Sequence, residues 1–296
     1  MRRTVCYQIF MLFATPVANF CFASGLFQVV SSLLMKLLNG KELAGFIKER
    51  QSHQVRSIDS KLKLAIVKTL DDPRINTYVR LKKRYGEKIG VDVDIHTVEQ
   101  KEVNDLVSKL NKDDGVTGII IQLPLDDTSQ TDELLNLVDP SKDVDGLHDD
   151  SPFDPATPTA ILWLLAGYNV ELRGKQILVI GEGKLVGSPL IEAFKSMELN
   201  VVSVNKETED VPSITRDSEI IVTAAGVSGL LTSDMISPDT VIVDAGVAVE
   251  SGKTVGDVAE EVYERDDLTI TPQKGGVGPL TVCALFENVI KAHTTT

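Results

Sequence analysis

A tyrosine and a lysine four residues apart, Tyr78 and Lys82, occur in a segment with helical periodicity. Positions i and i+4 lie on the same face of a helix, so the phenol and the ammonium point in one direction. A lysine can accept a proton at neutral pH when burial lowers its pKa from the ordinary value of about 10.4. From this helix alone, a solvated basic face that includes Arg80, Lys83 and Arg84 is the simpler interpretation.

Polar residues at two other places could complete such a site. Gln122 stands near the carboxyl end of an apolar strand predicted at Val116–Leu125, and ligands gather at the carboxyl ends of strands in open α/β sheets. A simple strand stop at Gln-Leu-Pro gives the same pattern. The loop Lys142-Asp-Val-Asp145-Gly carries two acids and a glycine that permits a tight turn. Its acids could equally serve only to solvate that turn.

A third candidate is a glycine-bearing turn at Gly181–Gly187, between a predicted strand and a predicted helix. Glycine here lets backbone amides approach a pyrophosphate at the helix N-terminus, where the helix dipole favours an anion. The spacing G-x-G-x-x-x-G is one residue longer than the usual dinucleotide fingerprint. A tight turn without a ligand is the alternative, but the strand–turn–helix context favours a nucleotide site.

The elements that must position these residues alternate between strands and helices. Strands are predicted at Lys61–Leu70, Val91–Val98, Val116–Leu125, Gln176–Ile180, Val201–Val204, Ile220–Thr223 and Val241–Val243, and helices at Arg74–Ile89, Glu102–Leu110, Asp132–Val138, Pro158–Tyr168, Ser188–Glu198 and Leu280–Ala292. This alternation predicts an α/β fold with parallel sheets. Two domains are expected, because 296 residues exceed what one compact core usually holds.

Composition excludes some classes of function. A net charge of −13 disfavours a nucleic-acid partner, whereas a small anionic substrate needs only a local basic pocket. The cysteines and histidines lie far apart without metal-ligand spacing, so no metal site is expected: Cys6, Cys21, Cys283, His53, His96, His148 and His293. One cysteine in the body of the chain fits a reducing compartment, and we expect a cytoplasmic protein.

The first 34 residues differ from the rest of the chain. Their only charges are Arg2 and Arg3, and a mostly apolar run follows from Val5 to Ala14, as in a secretory signal or a membrane-inserting leader. That run is short for a transmembrane helix. Amphipathic, charged sequence begins at Met35. We interpret Met35 as the true start and residues 1–34 as upstream sequence outside the fold, and we expect no membrane partner.

Seven short segments from Met35 onward carry most of these features: Tyr78-Val-x-x-Lys82, Gly118-Ile-Ile-Ile-Gln122-Leu-Pro-Leu, Lys142-Asp-Val-Asp145-Gly, Pro155-Ala-Thr-Pro158, Leu185-Val-Gly187-Ser-Pro189, Gly256-Asp-Val and Gly275-Gly-Val-Gly-Pro279-Leu-Thr281. In this order they resemble the bifunctional methylenetetrahydrofolate dehydrogenase/methenyltetrahydrofolate cyclohydrolase family. The resemblance spans essentially Met35 to the C-terminus. A Gly-Gly-Val-Gly-Pro segment with a following threonine is its most specific part.

The resemblance implies a homodimeric enzyme of one-carbon metabolism and purine biosynthesis that acts on a tetrahydrofolate derivative with NADP. Lys82 would be the catalytic base and acid, Gln122 would hydrogen-bond it, Asp145 would hold the pterin and Tyr78 would stack on the folate. The substrate would contact Tyr78, Lys82, Gln122, Leu123, Asp145, Gly275, Gly276 and Pro279. The nucleotide would contact Gly181, Glu182, Gly183, Lys184, Val186, Gly187 and Lys206.

The same resemblance implies two α/β domains with a cleft between them. Residues 35–155 with 279–296 would form the folate-binding catalytic domain. Residues 156–278 would form a Rossmann-like NAD(P)-binding domain. The final helix would pack back on the first domain.

The sequence departs from the family pattern near the nucleotide. Glu182 stands where the family usually has an arginine that holds the 2′-phosphate of NADP, so NAD is an alternative cofactor. Asn205-Lys206 replaces the usual His-Ser, and Lys206 could pair with that phosphate while Glu182 swings out or bonds Lys206. We therefore predict NADP. The usual Asn-x-Gly is missing from His148–Asp154, and Pro272-Gln-Lys replaces Pro-Val-Pro.

Two other functions share some of these patterns. A nicotinamide-dependent dehydrogenase of similar architecture, such as a shikimate-type enzyme, would not require Tyr78, Lys82 and Gln122 together. A non-catalytic folate- or nucleotide-binding relative is kept open by the altered phosphate turn. Turnover of methylenetetrahydrofolate separates the family prediction from both alternatives.

Overall fold

The computed structural model describes residues 36–250 and 253–295, and its chain divides into two compact units. The Lys82 unit comprises Ala44–Thr159 and the residues from Thr281 onward. The glycine-turn unit comprises the described residues up to Leu43 and Ala160–Leu280. The leader predicted at residues 1–34 lies outside the described part of the chain.

The elements follow one another in strand–helix alternation. In chain order the strands are β1 (Lys36–Leu37), β2 (Lys63–Lys68), β3 (Asp92–Thr97), β4 (Gly118–Ile121), β5 (Gln176–Ile180), β6 (Asn200–Val204), β7 (Ile220–Thr223), β8 (Val241–Asp244), β9 (Ala248–Glu250), β10 (Lys253–Val255) and β11 (Thr269–Ile270). The α-helices are α1 (Gly40–Arg56), α2 (Pro73–Ile89), α3 (Val103–Asn111), α4 (Thr131–Leu135), α5 (Ala156–Gly167), α6 (Gly187–Ser196), α7 (Val211–Arg216) and α8 (Val277–Thr295). Single 3₁₀ turns occupy Gln100–Glu102, Thr128–Gln130, Pro140–Lys142, Ser233–Met235 and Glu260–Glu264.

The Lys82 unit is built on a parallel sheet with the strand order β3-β2-β4. The central strand is apolar between its terminal lysines, Lys63 and Lys68, and is buried almost throughout, as expected of a parallel strand covered on both faces. Alternate residues of β2 and β4 belong to a core cluster with α3 and α4, among them Val67 and Ile121. The intervening residues, such as Ile66 and Ile120, are equally buried and point to the opposite face.

Helix α2 has clear start and stop signals. The side chain of Asp72 accepts a hydrogen bond from the backbone N–H of Arg74 at 2.8 Å, and Pro73 occupies the first turn. The helix ends at Gly90, whose φ of 90° is left-handed and suits glycine. These signals fix where the helix begins and ends, and therefore the positions of Tyr78 and Lys82 along the helix axis.

The glycine-turn unit contains a six-stranded parallel sheet with the order β1-β11-β8-β7-β5-β6. A separate antiparallel hairpin joins β9 to β10. The core on one side of the sheet includes Leu178, Ile221 and Ile242 from three adjacent strands. Because parallel strands end at one edge, the turn after β5 and the loops after β7 and β8 lie at the same edge of this sheet.

The predicted two-domain α/β fold with parallel sheets is confirmed, although several elements differ from their predicted bounds. The strand predicted at Val116–Leu125 is shorter, Gly118–Ile121, and Gln122 adds one further backbone hydrogen bond to β2 beyond its end. The final helix is longer than the predicted Leu280–Ala292. Elements that the periodicity did not indicate are α1, α7, β1, β9, β10 and β11. Within residues 36–250 and 253–295, no helix is long and apolar enough to span a bilayer.

Candidate active site

Lys82 lies on the buried face of α2. The buried residues of this helix are Ile75, Val79, Gly86 and Ile89. Lys82 falls between Val79 and Gly86 in this stripe, whose members are three or four residues apart and therefore share one helical face. An ammonium group has thus been placed where the helix pattern calls for an apolar side chain, and this position accounts for its desolvation.

The amine of Lys82 meets the amide of Gln122 across 40 residues of sequence. Lys82 Nζ donates to Gln122 Oε1 at 2.9 Å. Gln122 is itself oriented, because its Nε2 donates to the carbonyl of Leu123 at 2.8 Å and its backbone N–H donates to the carbonyl of Val67 at 2.8 Å. The second of these bonds continues the β2–β4 ladder by one residue. The amide therefore holds the amine in position without adding a negative charge beside it.

A carboxylate, Asp145, acts electrostatically on Lys82. Burial lowers the pKa of Lys82, and the negative charge of Asp145 partly offsets that shift by raising it. Burial likewise raises the pKa of Asp145, with the charge of Lys82 acting in the opposite direction and that of Asp143 adding to the rise. Both groups are therefore poised away from their ordinary values, which is the behaviour expected of an acid–base site.

The loop that carries Asp145 is held by two buried polar residues, Asp143 from the loop itself and Asn288, which the sequence did not single out. Asp143 is buried, and its Oδ2 accepts a hydrogen bond from the backbone N–H of His148 at 2.8 Å. Asn288, on α8, donates from Nδ2 to the carbonyls of Val144 at 2.9 Å and Asp154 at 3.0 Å. An asparagine inside the apolar stretch of a helix was the available sequence signal. These contacts fix the loop from both of its ends.

The amino end of α2 is tied to the sheet by a buried lysine that the sequence did not single out. Lys68, the last residue of β2, is only 6% exposed. Its Nζ donates to Asn76 Oδ1 at 2.6 Å and to Asp71 Oδ1 at 3.1 Å. Asn76 lies two residues before Tyr78, so this contact anchors the turn of α2 that carries the tyrosine. Hydrogen bonds with Asn76 and Lys68 also lower the pKa of Asp71.

Tyr78 lies one helical turn before Lys82, and Leu123 directly follows Gln122. The side chain of Tyr78 is 38% exposed, which leaves part of its ring available to a ligand, and burial of the remainder raises its pKa. Leu123 is partly buried and packs against the core of the Lys82 unit. The structure thus places Tyr78, Lys82, Gln122, Leu123 and Asp145 in one unit, with Lys82 in contact with Gln122 and under the charge of Asp145.

The glycine turn after β5 depends on two of its glycines. Gly181 has a φ of 101°, and a Cβ there would lie 2.6 Å from the carbonyl oxygen of Ala224. A Cβ on Gly187 would lie 1.8 Å from the carbonyl oxygen of Gly181. Only glycine allows this close approach of helix and turn. Gly183, Lys184 and Val186 complete the turn, and at Gly183 a Cβ would meet nothing within 4 Å.

Glu182 is held by the end of β6. Its Oε1 accepts a hydrogen bond from Ser203 Oγ at 2.6 Å and its Oε2 accepts one from Asn205 Nδ2 at 2.7 Å. These two bonds, followed by the weaker charge effect of Lys195, lower the pKa of Glu182 and keep it ionised. Neither of the two predicted arrangements, Glu182 swung out or bonded to Lys206, is observed. Ser203 on β6 and Asn205 directly after it take one carboxylate oxygen of Glu182 each.

Gly275, Gly276 and Pro279 belong to the glycine-turn unit. Gly275 has a φ of 89°, and its carbonyl accepts a hydrogen bond from the backbone N–H of Lys41 at 2.8 Å. A Cβ on Gly40 would lie 1.9 Å from the carbonyl oxygen of Gly276. The glycine loop therefore packs tightly on the start of α1 within that unit.

Two family models match the chain, one in each half. Residues 38–145 match the tetrahydrofolate dehydrogenase/cyclohydrolase catalytic domain. Residues 155–296 match the tetrahydrofolate dehydrogenase/cyclohydrolase NAD(P)-binding domain. Together the matches cover most of the chain and include every candidate residue described above.

Curated proteins and solved structures give the same result. The bifunctional protein FolD of Lactobacillus acidophilus is 37% identical over 272 residues, which are 86% of this chain and 96% of that protein. The crystal structure of the FolD dehydrogenase/cyclohydrolase of Campylobacter jejuni is similar, with a TM-score of 0.82 and 36% identity over 88% of this chain and 99% of that chain. The Trypanosoma brucei enzyme, solved with NADP and an inhibitor, has a TM-score of 0.82 at 26% identity and covers 88% of this chain and 98% of that chain.

Proposed function

Since this chain belongs to the tetrahydrofolate dehydrogenase/cyclohydrolase family, we propose that Lys82, Gln122 and Asp145 carry its chemistry on the folate. The chain is a bifunctional enzyme. It oxidises 5,10-methylenetetrahydrofolate to 5,10-methenyltetrahydrofolate with NADP, and it hydrolyses the methenyl compound to 10-formyltetrahydrofolate. The hydrogen bond of 2.9 Å between Lys82 and Gln122, formed in a desolvated site under the charge of Asp145, is the observation that supports this assignment of roles.

In the hydrolysis, a water molecule adds to the cationic methenyl carbon. Lys82 accepts a proton from that water as the new carbon–oxygen bond forms, which requires the neutral amine. The bond from this carbon to N5 of the folate then breaks, and N5 takes up a proton that Lys82 can return. One proton of the water thus ends on N5 and the other is released. Burial lowers the pKa of Lys82 and so favours the neutral amine, and Gln122 orients it.

Asp145 would bind the pterin in this scheme. A carboxylate accepts hydrogen bonds in pairs, and the amino group and ring N–H of a pterin offer two donors side by side. The half-exposed ring of Tyr78 would stack on the folate, and Leu123 would line the same site. Gly275, Gly276 and Pro279 are also proposed to contact the substrate, and the absence of a Cβ at the two glycines would permit close approach of their backbone.

NADP, when bound, supplies the acceptor for the hydride that leaves the methylene carbon. The residues present fit a dinucleotide, because Gly181 and Gly187 let the turn lie close against the amino end of α6 and a Cβ on Gly183 would meet nothing within 4 Å. Glu182, Gly183, Lys184 and Val186 complete this turn, and Lys206 is the cation proposed to meet the 2′-phosphate. Orientation matters more than proton transfer in this half-reaction, since no proton moves with the hydride.

A steady-state assay on the full chain tests the proposal. We expect 5,10-methylenetetrahydrofolate to yield the methenyl product with NADP, with NAD measured in parallel. We also expect methenyltetrahydrofolate to be hydrolysed faster than in buffer when no nucleotide is added. A chain that binds folate but turns over neither compound would be a binding relative, and the proposal would fail.

The assembly and setting of the enzyme are further parts of the proposal. We propose a homodimer, as the family resemblance implies, acting in the cytoplasm in the one-carbon metabolism that serves purine biosynthesis. The residues from Met35 onward contain a single cysteine, Cys283, which suits a reducing compartment. Light scattering after size-exclusion chromatography would give twice the chain mass for a dimer, and fractionation of cells would locate the protein.

A further inference from the structure

The segment Gly256-Asp257-Val258 has no role in the chemistry above, yet it contains one of the most buried carboxylates in the described part of the chain. Asp257 is completely buried, with 0% of its surface exposed. Burial of a carboxylate without compensation costs several kcal/mol, so such a group is retained only with well-placed donors. The partners of Asp257 therefore indicate what the residue does.

Asp257 accepts three hydrogen bonds from consecutive backbone amides. Its Oδ2 accepts from Ala225 at 2.7 Å and from Gly226 at 3.2 Å, and its Oδ1 accepts from Val227 at 2.8 Å. These amides belong to the loop that follows β7 at the carboxyl edge of the sheet. Beyond the end of β7 the neighbouring strands no longer accept hydrogen bonds from the backbone. The carboxylate of Asp257 provides the acceptors for these three backbone N–H groups instead.

A second carboxylate holds Asp257 itself in place. Asp244, at the end of β8, accepts from the backbone N–H groups of Asp257 at 3.1 Å and Val258 at 3.3 Å, and from Thr223 Oγ1 at 3.0 Å. Gly246 makes room for the arrangement, because a Cβ there would lie 2.0 Å from the carboxyl carbon of Asp257. The loop after β7 is therefore connected through Asp257 to the ends of β7 and β8.

The loop held by Asp257 packs directly on the nucleotide turn. A Cβ on Gly181 would lie 2.6 Å from the carbonyl oxygen of Ala224 and 2.9 Å from Cα of Ala225. Ala225 is also the residue whose amide makes the shortest of the three bonds to Asp257. Movement of this loop toward or away from the sheet would therefore displace the Gly181 turn.

We propose that Asp257 is a positioning residue for the nucleotide: by fixing Ala225, Gly226 and Val227, it sets the surface on which the Gly181 turn rests. The inference rests on the proposed function, because it assigns the nucleotide to that turn. It concerns binding of NADP and not the acid–base chemistry on the folate, whose residues Lys82, Gln122 and Asp145 lie in the other unit. Loss of the carboxylate should therefore separate the two activities of the one protein.

The test is Asp257→Asn in the full chain, with Asp266→Asn as the matched control in an exposed residue of the same unit. The asparagine keeps the size of the side chain but presents an N–H group to a backbone amide that needs an acceptor. We expect the KM for NADP and the Kd for NADP from titration calorimetry to rise about tenfold or more. The kcat and KM of the hydrolysis, measured without nucleotide, should stay within about twofold.

A second variant displaces the carboxylate of Asp257 without replacing that residue. Gly246→Ala places a methyl group against Asp257 and should raise the same Kd while the hydrolysis is retained. Parallel loss of both activities with a lower Tm, or an unchanged Kd for NADP in both variants, would overturn the proposal. The calorimetric titration also distinguishes failure of the Asp257 proposal from failure of the proposed enzymatic function. NADP binding can respond to Asp257→Asn even if the unmodified chain turns over no folate.

Discussion

The Lys82 site and the glycine turn place charged residues in opposite surroundings. Lys82 sits in the apolar stripe of α2, and burial shifts both its pKa and that of Asp145. Glu182 is exposed, and its pKa is lowered by two hydrogen bonds instead. In a buried site a single charge acts through a low dielectric, whereas solvent and salt weaken its action at the surface.

This difference indicates how each region tolerates sequence change. A buried charge network fails when one member is removed, because its partners are left desolvated and unpaired. An exposed turn can exchange an arginine for Glu182, provided that short polar neighbours satisfy the new carboxylate, as Ser203 and Asn205 do. We therefore expect substitutions of side chains to have large effects at the Lys82 site and small effects at the turn, where backbone geometry matters more.

The largest effect is expected for Lys82→Met, which keeps the bulk of the side chain and removes the amine. Hydrolysis of methenyltetrahydrofolate should fall by about 10²- to 10⁴-fold, the usual contribution of general acid–base catalysis. Lys83→Met, at the exposed neighbour, is the control and should leave the rate unchanged. Stopped-flow absorbance of the methenyl compound measures both. Wild-type hydrolysis by Lys82→Met would show that the buried amine is not the base.

A smaller but two-part effect is expected for Asp145→Asn. The KM for folate should rise about ten- to hundredfold, since an amide cannot accept the paired donors of a pterin. The KM for NADP should stay nearly constant. The exposed Asp150→Asn serves as the control. Equal loss of folate and nucleotide binding would indicate a folding defect and would break the proposed contrast between the two regions.

The same variant has a pH signature. Hydrolysis needs neutral Lys82, so its rate rises with pH through the pKa of that lysine. The charge of Asp145 raises this pKa against the lowering by burial. Removing the charge in Asp145→Asn should therefore lower the pKa of Lys82 further and move the acid limb of the pH–rate profile to lower pH. A limb that moves to higher pH would contradict the assigned interaction.

Much of the folate side could be predicted from sequence because its signals are local and periodic. The i, i+4 spacing of Tyr78 and Lys82 and the apolar strand before Gln122 predicted the elements that bring the amine and the amide to one edge of a parallel sheet. The burial of Asp143 and the contribution of Asn288 were not predicted, for a physical reason. Whether Asp143 is buried or solvated depends on Asn288 and other groups far along the chain.

The nucleotide side was less predictable. An exposed glutamate has several open rotamers, and the choice of Ser203 and Asn205 as partners of Glu182 follows from the ends of two strands meeting in space. Pairing of β1 with β11 joins segments more than 200 residues apart, and two-residue strands carry no periodicity of their own. Lys36 and Leu37 therefore belong to the sheet of the glycine-turn unit, whereas the predicted catalytic domain begins at residue 35.

Backbone geometry at the glycine turn gives the next prediction. In Gly187→Ala, the added Cβ would lie 1.8 Å from the carbonyl oxygen of Gly181, so helix α6 or the turn must shift. Shifts of this kind cost a few kcal/mol, and we expect the KM for NADP to rise about tenfold with hydrolysis retained. Gly45→Ala is the control, since a Cβ there meets nothing within 4 Å. Unchanged NADP kinetics would mean that the nucleotide does not use this turn.

The smallest effect is expected for the side chains that decide between NADP and NAD. Glu182, ionised and fixed by Ser203 and Asn205, opposes a 2′-phosphate, whereas the exposed Lys206 attracts one. Both charges face solvent, so each should change the ratio of kcat/KM for the two cofactors by only a few-fold.

We expect the unmodified enzyme to prefer NADP. Lys206→Ala should reduce that preference and Glu182→Gln should increase it, both more strongly at low salt, because screening weakens exposed charges. If the unmodified enzyme prefers NAD and Lys206→Ala leaves the ratio of kcat/KM for the two cofactors unchanged, the carboxylate of Glu182 governs the choice of cofactor. A single exposed side chain would then have a large effect at the glycine turn, contrary to the contrast drawn between the two regions.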